Sequence, residues 1–267
     1  MSQHVIVEKR DGIGRITLNR PEALNALSRE MIEAIRAAVA DFAASGEVKA
    51  LLLAANGRAF CSGADLSDPM MGQHLPQDQK AAVCAATLDT LMNAMIRELR
   101  DAPFPTVAAV NGIAAGGGVG LALALDMVVA GRSASFILSF TAKLGLIPDL
   151  GASWHLPQHL GRARALGLML TGQPLSAEDA VAQGLIWATA DDDGLADEAE
   201  ALAKKLAAGP TLAQVATRRL VDDALSRDFP AQLDAERDGQ AAMVVTDDVA
   251  EAMKAFAEKR KPVFRGR

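Results

Sequence analysis

The chain has 267 residues, half of them hydrophobic, with 27 Lys and Arg against 33 Asp and Glu and a formal net charge of -6. That balance excludes a disordered chain and is long enough to bury a full core, as one large domain or as a main domain with a helical appendage. The acidic excess, with basic residues gathered only in the tail KRKPVFRGR, argues against a nucleic-acid partner.

The N-terminal MSQHVIVEKR has no apolar run of the length a signal peptide or a membrane span requires, so the expected location is cytoplasmic, with no membrane partner. VIVEKRDGIGRITLN reads as two strands around Asp11 and Gly12, the dipeptide that best supplies a hairpin turn. After Pro21, SREMIEAIRAAVADFAAS places Met31, Ile35, Ala38 and Phe42 at helical spacing, with Ser28 positioned to cap the first turn. KALLLAA at 49–55 is a short apolar run of the kind buried on both faces of a parallel sheet.

A loop, NGRAFCSGADLSDPMMGQHLPQ, leads to a helical stretch from about Gln79 to Arg100, ended by Pro103 and Pro105. TVAAV and DMVVAG are further strands, and the alternation of strand and helix predicts an α/β fold with a mainly parallel sheet. From Arg162 onward helical periodicity dominates, with starts at Ser176, near Pro210, near Pro230 and at Thr246.

Between TVAAV and the apolar LALAL lies NGIAAGGGVG, five glycines in ten positions. Bare backbone at a helix N-terminus presents unpaired N–H groups to an anion or a developing oxyanion. GGGVGLA does not meet the register of GxGxxG, and no GxxxxGK[ST] occurs, which disfavours a nucleotide cradle. Tight helix packing remains an alternative use of the same glycines. AFCSGADL at 59–66 is a second small-residue turn after a buried strand, and two such turns can direct two N–H donors at one oxygen.

NRPEALNALS, AFCSGADL, AAVNGIAAGGGVGLALALDMVVAG and the tail AMKAFAEKRKPVF resemble the crotonase, or enoyl-CoA hydratase/isomerase, superfamily over essentially the whole chain. The resemblance implies a crotonase-like spiral of ββα units, with an acyl-CoA site in residues 1–200 and a helical trimerisation region in 201–267. It implies that the thioester oxygen is held by the N–H groups of Ala64 and Gly117. It further implies that Ala23, Leu24, Ser62, Gly63, Asp65, Leu66, Gly116 and Phe140 line the substrate path, with Lys259 and Lys261 as phosphate contacts. Coenzyme A belongs to the substrate, so no separate cofactor and no metal is expected. The expected assembly is a homotrimer or a dimer of trimers.

The two glutamates of a family hydratase are missing. The first position is Gly120, the second falls on or beside Phe140, and no acidic residue lies between Asp126 and Asp149. Because a positioned proton transfer is worth about 10²–10⁴ in rate, ordinary hydration is not expected. FTAKLGLIPDLGASWHLPQHLGRARALGL resembles instead the branch of ring-opening isomerases of phenylacetate degradation, with one extra residue near Ala142. That branch implies Asp149 as proton carrier, and the raised pKa such a base needs is expected from desolvation by Phe136, Phe140, Leu144 and Leu150. The competing reading of Asp149 is a turn residue. The competing functions are a hydratase with an atypical acid and base, or a non-catalytic acyl-CoA binder.

Other residues point to bland roles. His155 and His159 have zinc-compatible spacing but flank Pro157 and lack a third ligand. Cys61 and Cys84 lack CxxC spacing and read as reduced thiols, Cys61 in packing. Trp154 and Trp187 read as core or pocket wall.

Overall fold

The computed structural model describes residues 3–266. In chain order the elements are β1 (Val5–Arg10), β2 (Ile13–Leu18), α1 (Arg29–Ser45), β3 (Ala50–Ala55), β4 (Ala59–Cys61), α2 (Gln77–Thr87), α3 (Asn93–Arg100), β5 (Thr106–Val110), β6 (Ile113–Ala115) and α4 (Gly117–Leu123). There follow β7 (Met127–Gly131), β8 (Ser135–Ile137), α5 (Ala152–Thr171), β9 (Leu175–Ser176), α6 (Ala177–Ala182), β10 (Ala188–Ala190), α7 (Leu195–Ala207), α8 (Thr211–Ala224), α9 (Phe229–Met243) and α10 (Asp247–Ala257).

The chain winds as a spiral of two strands and a helix. β3, β5 and β7 lie side by side in a six-stranded sheet of order β1-β2-β3-β5-β7-β10, whereas β4, β6 and β8 form a second sheet of order β4-β6-β8-β9. Each turn thus gives its first strand to one sheet and its second to the other before its helix. The large sheet is parallel apart from the β1/β2 hairpin, whose Asp11 and Gly12 both have positive φ. This is the crotonase-like α/β architecture anticipated above.

Side-chain alternation divides the core between the two faces of the large sheet. Leu51, Leu53, Ala108, Val110 and Val128 point into the main core with α1, α3, α4 and α5. Ala50, Leu52, Val107, Ala109 and Val129 meet α7, whose Ala199, Ala203 and Ala207 recur every fourth residue and let the helix lie close on the strands. α7 runs through residue 200, so the core extends beyond the 200/201 boundary and includes the whole helix. The purely helical reading after Arg162 is also corrected. β9 closes the small sheet and β10 adds the edge of the large one, both too short to carry a period of two.

The helix read over 79–100 is continuous from Gln77 to Arg100 but contains a wide turn at Leu88–Met92, where the Asn93 N–H donates to the Leu88 carbonyl. α5 breaks at Gly161, which has φ 73. Caps at Ser28, Ser176 and Thr246 are formed as their sequence predicts, each hydroxyl accepting from an N–H three residues on. α8 is pinned to the core by Arg218, which pairs with Asp126 at 3.1 Å and donates to the Ala102 and Phe104 carbonyls. No helix among the described residues is long and apolar enough to cross a membrane.

Candidate active site

The small strand β4 and the glycine triplet meet at the C-terminal ends of β3 and β5. β4 pairs with β6 in parallel, which brings the 62–65 turn alongside 115–117. A Cβ built on Gly63 would lie 3.0 Å from the Ala115 carbonyl oxygen and 3.2 Å from the Gly117 nitrogen, so the two turns are in direct contact. Two glycines of the cluster, one in the triplet and one just after it, admit nothing larger for reasons of close approach. At Gly118 a Cβ would fall 2.1 Å from the Cys61 carbonyl oxygen, and at Gly120 it would fall 2.4 Å from that of Leu150. Gly118 and Gly120 therefore serve close packing, one of the two uses weighed from the sequence.

Ala64 is aimed by its neighbours. The Leu27 N–H donates to the Gly63 carbonyl at 2.8 Å and the Asp65 N–H donates to the Leu27 carbonyl at 3.0 Å, which fixes the chain on both sides of Ala64. Ser62 N–H donates to the Leu24 carbonyl at 3.0 Å, so Ala23 and Leu24 border the same turn. Among the described residues, neither the Ala64 nor the Gly117 amide donates to a protein acceptor, as the first residue of α4 requires of Gly117.

Asp149 sits beside Gly117. Its Oδ1 lies 3.8 Å from a Cβ built on Gly117 and is buried without a hydrogen-bond partner. Burial pushes the carboxyl up to about 6, partly offset by its own backbone N–H. Leu150, next in the chain, has φ 48, a conformation that costs a β-carbon residue about 1–2 kcal/mol. This turn lays the Leu150 side chain 2.9 Å from a Cβ on Gly117 and its backbone across Gly120. A side chain at 120 would run into Leu150, so in this fold the position has no room for a glutamate.

Phe136, Phe140 and Leu150 are buried, as expected of groups that desolvate Asp149, but Leu144 is corrected: it is 46 % exposed and faces outward from the turn after Phe140. Phe140 packs on Gly116, its Cζ 3.8 Å from a Cβ built there. The Asp65 carboxylate is turned inward, accepting from Arg20 Nη1 at 2.5 Å and from Ser67 N and Oγ at 2.9 and 2.6 Å, so what Asp65 presents toward a ligand is its backbone. Burial raises its pKa, but the bonds from Ser67 and Arg20 outweigh it and leave the carboxyl below its ordinary value.

Lys259 and Lys261 are not brought to the site. Their segment is exposed and its neighbours are tied elsewhere, Arg260 to Glu251 of α10, Arg265 and Gly266 to Asp248, and the Phe264 carbonyl to Lys49 at the start of β3. Leu66 stands exposed beside the Ala64 turn.

Cys61 is fully buried and burial pushes its thiol up to about 12, which removes it as a nucleophile. His155 and His159 stack at 6.3 Å, and no group of three or more possible metal ligands occurs among the described residues. Burial, then Arg100, then His159, push His155 down to about 4. Trp154 lies under the Arg100 guanidinium and lines a cavity of about 560 Å³ between α3, α5 and α8. The charges there are mutually paired, Arg100 with Asp222 and Arg218 with Asp126, and the cavity does not include Ala64, Gly117 or Asp149. Trp187, read as core or wall, is 63 % exposed.

The sequence reading missed Arg20 and Asn25. Asn25 is fully buried, accepts from Arg20 N at 2.8 Å and donates to the Asn56 and Ala59 carbonyls at 2.9 Å each. The signal was present in NRPEALNALS, where Asn25 follows a proline turn and adopts φ 53, but the two carbonyls it donates to lie over thirty residues away.

The family model for enoyl-CoA hydratase/isomerase matches residues 8–267. The chain belongs to that family. It is 39 % identical over 267 residues to the 1,2-epoxyphenylacetyl-CoA isomerase of Escherichia coli, covering 100 % of both chains. It is 40 % identical over 272 residues to a Rhodobacter capsulatus protein described as a probable enoyl-CoA hydratase, again over 100 % of both. The crystal structure of an enoyl-CoA hydratase from Polaromonas sp. JS666 superposes with a TM-score of 0.89 at 30 % identity, over 97 % of this chain and 99 % of that one.

Proposed function

We propose that this family member is an acyl-CoA isomerase that moves a double bond, or opens an aromatic ring epoxide, with one carboxylate and two backbone amides. The observation that carries the reading is the half-buried Asp149 carboxylate, its Oδ1 enclosed without a partner beside Gly117, whereas the acid next to Ala64, Asp65, is paired with Arg20. In a 3-enoyl thioester, Asp149 takes the C2 proton while the Ala64 and Gly117 N–H groups stabilise the dienolate oxygen. The same carboxyl then returns the proton to C4. A base for this work needs a pKa near the working pH, and a value of about 6 suits it. Ala23, Leu24, Ser62, Gly63, Leu66, Gly116 and Phe140 line the substrate path, coenzyme A arrives as part of the substrate, and no further cofactor takes part. The hydratase alternative draws on the names of relatives, but Gly120 and the 127–148 segment offer it no acid.

Absorbance-monitored turnover of a straight-chain 3-enoyl-CoA, a 2-enoyl-CoA and an aromatic epoxide CoA ester, with wild type and Asp149→Asn, tests this. Isomerisation or ring opening by wild type alone supports the reading. Hydration of the 2-enoyl-CoA that survives Asp149→Asn refutes it.

The same reading makes the protein a cytoplasmic homotrimer or dimer of trimers. It is supported by Phe229, Val245 and Phe256, exposed by 75 %, 81 % and 83 % in and between α9 and α10. Sedimentation at three or six times the 27.9 kDa chain mass is the expected result, and a monomer would overturn it.

A further inference from the structure

We infer that the ion pair of Arg20 and Asp65 is a positioning device for the Ala64 amide, an inference that rests on the oxyanion role proposed for that amide. Ala64 lies in a turn with no strand ladder of its own beyond the single bridge to Leu27. An N–H that stabilises a developing oxyanion must be held within a narrow range of direction, and a misplacement of about 1 Å costs on the order of 100-fold.

The brace that supplies this rigidity is built from three segments distant in sequence. Asp65, the residue after Ala64, is held by Arg20 Nη1 at 2.5 Å and by both donors of Ser67. The same Arg20 nitrogen donates to the Ala26 carbonyl at 3.4 Å, one residue before the Leu27 that clamps Gly63 and Asp65. Asn25 then locks the Arg20 turn to the end of β3 and the start of β4 through its three hydrogen bonds. The side chains of Arg20 and Asp65 are only 21 % and 11 % exposed, and the exposed Glu22 approaches Arg20 no closer than 3.9 Å. A pair this buried gains little net stability, because desolvation offsets the attraction. Its contribution is to give the 62–67 turn one arrangement instead of several, with Ala64 held next to the Gly63 that abuts the Gly117 nitrogen.

Cinnamoyl-CoA is a suitable probe, since its aromatic C4 carries no hydrogen to move and its conjugated thioester absorbs at longer wavelength when N–H donors polarise the carbonyl. Wild type and Asp149→Asn are expected to give the full red shift on binding. Arg20→Gln and Asp65→Asn are expected to lose at least half of it and about 10- to 100-fold in kcat, with Kd for the probe within about threefold of wild type. Arg20→Lys, which keeps the charge, should recover part of both. If Asp65→Asn does not fold, Arg20→Lys and Ser67→Ala carry the same readouts, each expected to show a partial loss in shift and kcat. Folded variants with full shift and wild-type kcat, or with losses confined to Kd, overturn the positioning role alone. Absence of a shift in wild type saturated with probe overturns the oxyanion reading, and this inference with it.

Discussion

Replacing Asp149 by Asn should make the protein less active and more stable, by an amount set by what holds the carboxylate where it is. The group titrates at 3.8 in water and at about 6 in the fold, because burial disfavours its charge. A shift of roughly two units corresponds to about 3 kcal/mol against folding once both states are ionised. Between about pH 4 and pH 6 the folded chain keeps a proton that the unfolded chain has released. The stability owed to this group therefore falls as pH rises through that window and stays low above it. Asn carries no charge but leaves a buried amide short of partners, which costs about 1–2 kcal/mol and reduces the net gain to about 1–2 kcal/mol. Urea unfolding of both proteins at about pH 8 and about pH 5 measures this. The variant should be the more stable at the higher pH, with the gap narrowing at the lower. Equal stability at both pH values, or a gap independent of pH, would refute the claim that Asp149 is held desolvated. The wild-type kcat should fall below about pH 6 as the base protonates, in the window given by the same carboxyl.

Three further substitutions probe the surroundings of that carboxylate. Leu150→Ala opens the apolar cover over Gly117 and should move the break in the kcat profile to lower pH, read from initial rates between about pH 4 and 8. Gly120→Glu, which restores the residue type found in family hydratases, meets the Leu150 backbone at 2.4 Å and should lower the melting temperature without creating hydration of a 2-enoyl-CoA. Gly118→Ala drives a Cβ to 2.1 Å from the Cys61 carbonyl and should destabilise by about 3 kcal/mol, measured by denaturant midpoint.

The sequence by itself determined the elements whose signals are local. The Asp11-Gly12 hairpin, the Ser28, Ser176 and Thr246 caps and the apolar runs of β3, β5 and β7 follow from backbone preference and burial within a few residues of chain. It also showed the two small-residue turns after buried strands, within which Ala64 and Gly117, like Asp149 beyond them, are singled out by the resemblance to the family. Tertiary structure decided the rest. Three-residue strands such as β4, β6 and β8 exist only through their neighbours, so the second sheet and the spiral that joins the two turns had no period to read. That the Asp65 carboxylate meets Arg20, 45 positions away, is visible only in the fold. Gly120 looked like a lost acid, and the fold shows a position filled by the backbone of Leu150. Sequence fixes what each residue can do over a few bonds. Which partner it meets, and hence whether a carboxylate is paired like Asp65 or left without a partner like Asp149 Oδ1, is set by contacts between segments that only the folded chain brings together.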